Sequence, residues 1–395
     1  MLIEILLFLL MGIIAGIITG LIPGIHINLI GAFLITISAS FLFSIPSVFL
    51  VVFISSMAIT HTFLDFIPSV FLGCPDTDTE LAILPGHQLL KKGQGYEAIM
   101  LTAYGSLMAV ILLIVISFPS IILISKAYDI IKNLIPYFLI LASITLISLE
   151  KKKISAIIVF IITGILGLIV LNLEIKEPLL PLLTGLFGSS MLILSIKNKT
   201  KIPKQNIKDI KPPKLFKPLL GALIASPLCS FLPGMGSGQA AIIGNIISKT
   251  NRKGFLVLLG ATNTLVMGFS FISLYVISKA RTGAAVAIKE IINSLSLEVL
   301  ILILTTIIIS GILSFFLTKK IAKITSKKIN KINYTFLSLT TLIVLISLVI
   351  TISGFLGLII LFISTITGIF CISFPIRRVN MMGCLLLPVI ILYFL

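Results

Sequence analysis

Charged residues are scarce in this chain: they make up 11% of 395 residues, against 58% hydrophobic residues and a mean hydropathy of +1.24. That balance excludes two or three soluble domains and defines a polytopic membrane protein. Polar stripes are missing too. The runs 160–171 and 300–317 are apolar on every face, as expected where lipid or other helices cover the whole surface and the backbone satisfies itself. The four cysteines, Cys74, Cys229, Cys371 and Cys384, form no CxxC pair, so neither a zinc site nor a disulfide framework is expected. A basic n-region with a small-residue cleavage site is also lacking. The first apolar run carries Glu4 and continues past Ile22, so it is expected to stay as a span.

Acidic residues number 13 against 30 Lys and Arg, a net charge of +17. The lysines lie in short loops without aromatic interleaving, which argues against a nucleic-acid partner. They report topology instead. Apolar stretches long enough to cross a bilayer fall at 48–72, 98–124, 133–149, 154–172, 178–196, 255–278, 297–317, 335–352, 354–374 and 380–395, so about ten full spans are expected. Two more segments, 2–45 and 218–248, are broken by Pro-Gly. If each of these enters and leaves on one side, 24 basic residues fall on one side and 6 (Lys126, Lys132, Lys176, Lys279, Arg281 and Lys289) on the other. The richer side is expected to be cytoplasmic, which places both termini outside the cytoplasm of a multi-pass cell-membrane protein.

The arms of 218–248, about 15 residues each, would reach about 22 Å as helices, which is too short to cross and fits a re-entrant hairpin. The basic stretch 197–217 reads as a cytoplasmic linker between a first membrane repeat, 1–196, and a second, 218–395. Weak matches recur in order. Pro23-Gly24 matches Pro233-Gly234, and Thr60 and Thr62 match Thr262 and Thr264. Opposite orientation with broken segments at corresponding places is the pattern of an inverted-repeat transporter with a central site.

The breaks leave unpaired amides at a helix start, where partial positive charge can hold an anion without a lysine. Pro23, Gly24, His26 and Asn28 around the first break, and Pro233, Gly234, Gly236, Ser237, Gly238 and Gln239 around the second, are therefore candidate substrate ligands, with Thr262 and Asn263 beside them. Small residues at a hairpin tip serve close packing equally well. Thr60, His61 and Asp65 lie inside a span. His61 and Asp65 are i,i+4 neighbours, an expensive pair at that depth and thus a candidate for proton relay or cation coordination. No metal or cofactor is expected beyond a coupling H⁺ or Na⁺. Two rival classes remain open: an intramembrane metal-dependent enzyme using His26, His61, His87 and Asp65, although no HExxH stretch occurs, and a passive anion channel.

GIIAGIITGLIPG (12–24), GALIASPLCSFLPGMGSG (221–238) and GCPDTDTELAILPGHQLLKKGQGYEA (73–98) resemble the large membrane subunit of tripartite tricarboxylate transporters, the TctA family, over nearly the whole chain. The likeness implies a permease in the bilayer for small organic anions, with di- or tricarboxylates as the expected substrates. It further implies a driving proton or sodium gradient, an extracytoplasmic solute-binding protein and a small membrane subunit. His26 and Asn28 stand where the resemblance implies small or hydroxyl residues.

Overall fold

The computed structural model describes residues 1–22, 45–73, 79–197, 202–208, 210, 214–231, 236–280, 282–292, 294–331 and 333–394. Every regular element among them is helical, and eight helices are long and apolar enough to cross a membrane. The chain is an all-α polytopic membrane protein.

The first helix, α1 (Leu2–Leu21), stops where Pro23 forces its predecessor out of the helical region: Ile22 is extended, at φ −93° and ψ 110°. The next span is α2 (Ser47–Leu64), followed after a turn at Asp65 by α3 (Phe66–Phe71). Pro68 causes that interruption, because it has no amide hydrogen and its ring displaces the carbonyl four residues back, at Leu64. Ser69 then donates its hydroxyl to the Asp65 carbonyl at 2.9 Å. The proline therefore sets an acidic residue at a helix break inside a span.

After α4 (Ile83–Leu90) comes α5 (Gly95–Ser148) with Pro119 and Pro136 inside it; its first part, Gly95–Lys126, is a candidate span and its last, Pro136–Ser148, a shorter apolar helix. Of the span expected at 133–149, Pro136–Ser148 is the part seen as an apolar helix among the described residues. Helix α6 (Lys153–Leu171) follows, then α7 (Leu179–Leu183), a π-helical turn (Thr184–Ser189) and α8 (Ser190–Lys197). The second half holds α9 (Phe216–Phe231), α10 (Ser237–Ser248), α11 (Arg252–Ile277), α12 (Gly283–Ile292), α13 (Leu297–Lys328), α14 (Tyr334–Ser373) and α15 (Gly383–Phe394). Helix α14 is two spans. Gly354, at φ 69° and ψ −164°, folds it back, and a Cβ on Gly357 would lie 3.4 Å from Val349 Cγ1. In a straight helix residues eight apart are about 12 Å distant.

Contacts sort the loops into two ends. At one, the Glu97 carboxylate pairs with Lys253, Gly95 N–H donates to Gln205 Oε1 at 2.8 Å, and the Gln205 amide donates to the Leu90 carbonyl at 3.1 Å. Asn206 N–H donates to the Gly93 carbonyl at 2.7 Å, so part of the basic stretch between the halves is fastened to the KKGQG loop. Glu150 pairs with Arg377 and accepts from Asn380 at this end as well. At the other end Lys279 stands over the Tyr128 ring at 5.1 Å, Tyr137 meets Phe394, and Phe8 stacks on Phe49. Met1 and Phe394 therefore share the end opposite Gly95.

The two most enclosed spans, Arg252–Ile277 and Ser47–Phe71, form the centre, 94% and 78% buried. Helix α1 lies parallel on α2 through Gly12, Gly16 and Gly20, whose added Cβ atoms would meet Ser56 Oγ, the Met57 carbonyl and Leu64 Cβ at 1.9, 2.6 and 2.8 Å. Small residues every fourth position let the backbones touch. Helix α9 lies parallel on α11 in the same manner, with Pro218 beside Gly254 at one end and the Ser230 hydroxyl on the Val266 carbonyl at the other. Helix α10 returns alongside α9: a Cβ on Gly221 would sit 2.4 Å from the Gly244 carbonyl oxygen. Segment 218–248 therefore enters and leaves at one end, as its arm lengths required.

Candidate functional site

Three elements of the fold meet at one place. The break at Asp65 faces the middle of α11; the last turn of α1 lies against His61, Leu64 and Asp65 around Gly20; and Ser230, in the last turn of α9, bonds Val266, three residues from Asn263. The polar residues there are buried. Thr60, Thr262 and Thr264 are fully enclosed, and Asp65 is 2% and Asn263 3% exposed.

Their hydrogen bonds join the two halves of the chain. Asn263 Nδ2 donates to Asp65 Oδ2 at 2.7 Å and approaches the Thr62 carbonyl at 3.5 Å. With acceptors on both sides, the amide nitrogen is the atom that belongs there. The Thr62 and Thr264 hydroxyls meet at 3.2 Å. His61 Nδ1 lies 3.1 Å from the Thr19 hydroxyl on α1, and its Nε2 lies 3.9 Å from Asp65 Oδ2. The Ser314 hydroxyl of α13 donates to Thr60 Oγ1 at 2.9 Å. Side chains of four helices thus meet along residues 60–65.

Of the residues singled out in the sequence, the structure brings Thr60, His61, Asp65, Thr262 and Asn263 into this region. Thr262 turns its hydroxyl back to the Leu258 and Leu259 carbonyls rather than toward Asp65. Gly236, Ser237 and Gly238 lie at the start of α10, with Ser237 and Gly238 buried; Gln239 belongs to its first turn. Antiparallel packing that sets Gly244 against Leu258 brings this helix start level with Val266. Pro23, Gly24, His26, Asn28, Pro233 and Gly234 lie outside the described residues. Sequence reasoning left Thr19, Thr264 and Ser314 out of the site. Thr264 carried a signal, its match to Thr62; a lone threonine or serine in an apolar helix carries none.

His87 belongs elsewhere. Its Nδ1 bonds the Val70 carbonyl at 2.8 Å, nine residues beyond His61 and so about 13 Å along the helical path. Among the described residues no group of three His, Cys, Asp or Glu side chains is arranged to hold a metal. Burial pushes the His87 imidazole down from 6.5 to about 4, and Lys91 and Arg378 act in the same direction against the Val70 bond. The unfolded chain binds this proton at higher pH than the folded one, so stability is complete above about 6.5 and is lost as pH falls toward 4. At 1.36 kcal/mol per pH unit the loss reaches about 3 kcal/mol. Melting of the purified protein between pH 7 and pH 4 should show this fall, and His87→Gln should flatten it.

Helices interrupted around a shared polar cluster are the arrangement in which transporters build a central site. Comparison agrees: residues 6–383 match the tripartite tricarboxylate transporter TctA family, and the chain belongs to that family. Its members are the large subunit of transporters that work with a binding protein and a small membrane subunit. An uncharacterized protein of Methanocaldococcus jannaschii is 34% identical over 358 residues, covering 87% of this chain and 88% of that one. No solved structure matches.

Proposed function

We propose that this chain is the permease of a secondary active transporter for organic anions of the di- or tricarboxylate class, driven by a proton or sodium gradient. The observation that carries the reading is that the last described turns before the two Pro-Gly pairs flank the Asp65–Asn263 contact: Gly20 of α1, which comes from the end opposite Gly95, lies against Leu64 and Asp65, and Ser230 of α9, which comes from the Gly95 end, bonds Val266, three residues from Asn263. Helix starts presenting bare amides bind carboxylate, and polar residues of the crossing spans complete substrate and ion sites.

The packing supports an inverted repeat of 1–196 and 218–395. In each half the first arm lies parallel on the following long span, and the Thr62–Thr264 contact joins the two residues that match in sequence. In this reading the amides from Pro23 to Asn28 and from Pro233 to Gln239 hold the anion with Thr262 and Asn263, while Thr60, His61 and Asp65 hold the coupling ion. The end carrying Lys91, Lys204 and Lys253 faces the cytoplasm, and both termini face away from it. A solute-binding protein would deliver substrate to the outer end and a small membrane subunit would complete the carrier.

Uptake of labelled citrate, succinate and tricarballylate into proteoliposomes tests this. Uptake should saturate and should rise with an imposed proton or sodium gradient; flux indifferent to both gradients rejects coupling and favours a channel.

A further inference from the structure

The pair that closes the centre of the molecule is unequal. At positions matched by the Thr60–Thr62 and Thr262–Thr264 correspondence, the first half has His61 and the second Asn263, and Asp65 has the apolar Met267 as its counterpart. Glu97 sits in the first turn of α5 and Glu150 at a helix end with Arg377, so among the described acidic side chains Asp65 is the one buried within the middle of a span. One carboxylate serves both halves.

Its neighbours are nitrogen donors. Asn263 Nδ2 stands at 2.7 Å, held in that orientation by the Thr62 carbonyl, and His61 Nε2 at 3.9 Å. A metal cation needs oxygen lone pairs, and at Oδ2 it would have to displace the Asn263 N–H that already stands there. A proton needs only the carboxylate and a group to pass it on, which an imidazole can do. Other charged groups on the surrounding elements are Glu4 on α1, Glu97, Lys126, Asp129 and Lys132 on α5, Arg252 and Lys253 on α11, Lys289 and Glu290 on α12, and Glu298, Lys319, Lys320, Lys323, Lys327 and Lys328 on α13. Lys319 comes nearest in sequence, five residues beyond the Ser314 that bonds Thr60.

Resting on the transporter reading, we infer that the coupling ion is a single proton carried by Asp65, passed through His61, and that the bond receiving it is the latch between the halves. The ionised carboxylate accepts the Asn263 amide in a charge-assisted bond; protonation makes that bond a weaker, neutral one. Proton binding therefore loosens the contact of α2 with α11 and frees the halves to change their relative position. Proton release restores it. No other bond is made or broken in the step.

Proteoliposomes holding the purified chain and internal pyranine separate this from the reading beneath it. Counterflow of labelled citrate with no gradient imposed tests the transporter; its absence in wild type overturns both. With counterflow present, an inward proton gradient should drive citrate uptake together with internal acidification, while an inward sodium gradient at equal pH drives neither. Asp65→Asn should bring the ratio of uptake with and without the pH gradient to about one, whatever its absolute rate, and Asp65→Glu should keep that ratio above one. Sodium-driven uptake in wild type without acidification, or an Asp65→Asn protein that still responds to the pH gradient, overturns the inference. Should the asparagine variant fail to fold, the wild-type pyranine and sodium measurements decide alone.

Discussion

Gly260→Val is expected to remove monodisperse protein from detergent extracts almost entirely. Helices α5 and α11 run parallel and touch backbone to backbone: a Cβ on Gly260 would lie 2.0 Å from the Thr102 carbonyl oxygen and 2.9 Å from its Cα, and a Cβ on Gly105 would lie 2.0 Å from the Val257 carbonyl oxygen. The Ser106 hydroxyl completes the contact on the Gly260 carbonyl at 3.0 Å. Overpacking against side chains costs about 1–3 kcal/mol because rotamers yield. Here backbone atoms face the new methyl groups, so the helices must part along their length and the loss should reach or pass the top of that range. Natural stabilities are about 5–15 kcal/mol, which makes such a loss decisive for a membrane protein's yield. Ile312→Val, on the outward side of α13 at 45% exposed, is the control and should change little. Size-exclusion profiles of the two variants, expressed side by side, check the expectation.

Much of this contact map was legible in the residues, for reasons that can be named. A hairpin with arms of about 15 residues cannot cross, so 218–248 had to return, and Gly221 against Gly244 is that return. The reversal in α14 falls at Gly354, between the two apolar stretches separated in the sequence. The correspondence of Thr62 with Thr264 became a hydrogen bond. What stayed hidden was whatever depends on partners distant in the chain. Gln205 looked like one more polar residue of a basic linker, yet it fastens Gly95 and Leu90, because an amide that both donates and accepts can bridge a tight turn. Thr19 and Ser314 gave no signal, since a hydroxyl in an apolar helix usually turns back on its own backbone and only the neighbouring helix decides otherwise.

Asn263→Leu should be the most damaging single change at the central cluster, and its damage should be partly undone by a second loss. Removing the amide takes away the 2.7 Å donor to Asp65 Oδ2 while the carboxylate, 2% exposed, stays buried. Leaving a buried acceptor without its donor costs about 1–3 kcal/mol, and more for a charged group, because the remaining group keeps its desolvation penalty without its compensation. Replacing both partners by apolar groups is often neutral by comparison. Asp65→Leu combined with Asn263→Leu should therefore melt at a higher temperature than Asn263→Leu alone, with a coupling energy of about 0.5–3 kcal/mol between the two sites. Transport should move the other way. The double variant lacks the carboxylate and should show no gradient-driven carboxylate uptake, so stability and function separate at this pair: packing can be restored with leucine, but the response to a gradient cannot. Thermal unfolding of the wild type, both single variants and the double variant, closed into one cycle, measures the first claim. Additive melting shifts would mean that the Asp65–Asn263 bond does not hold the halves together.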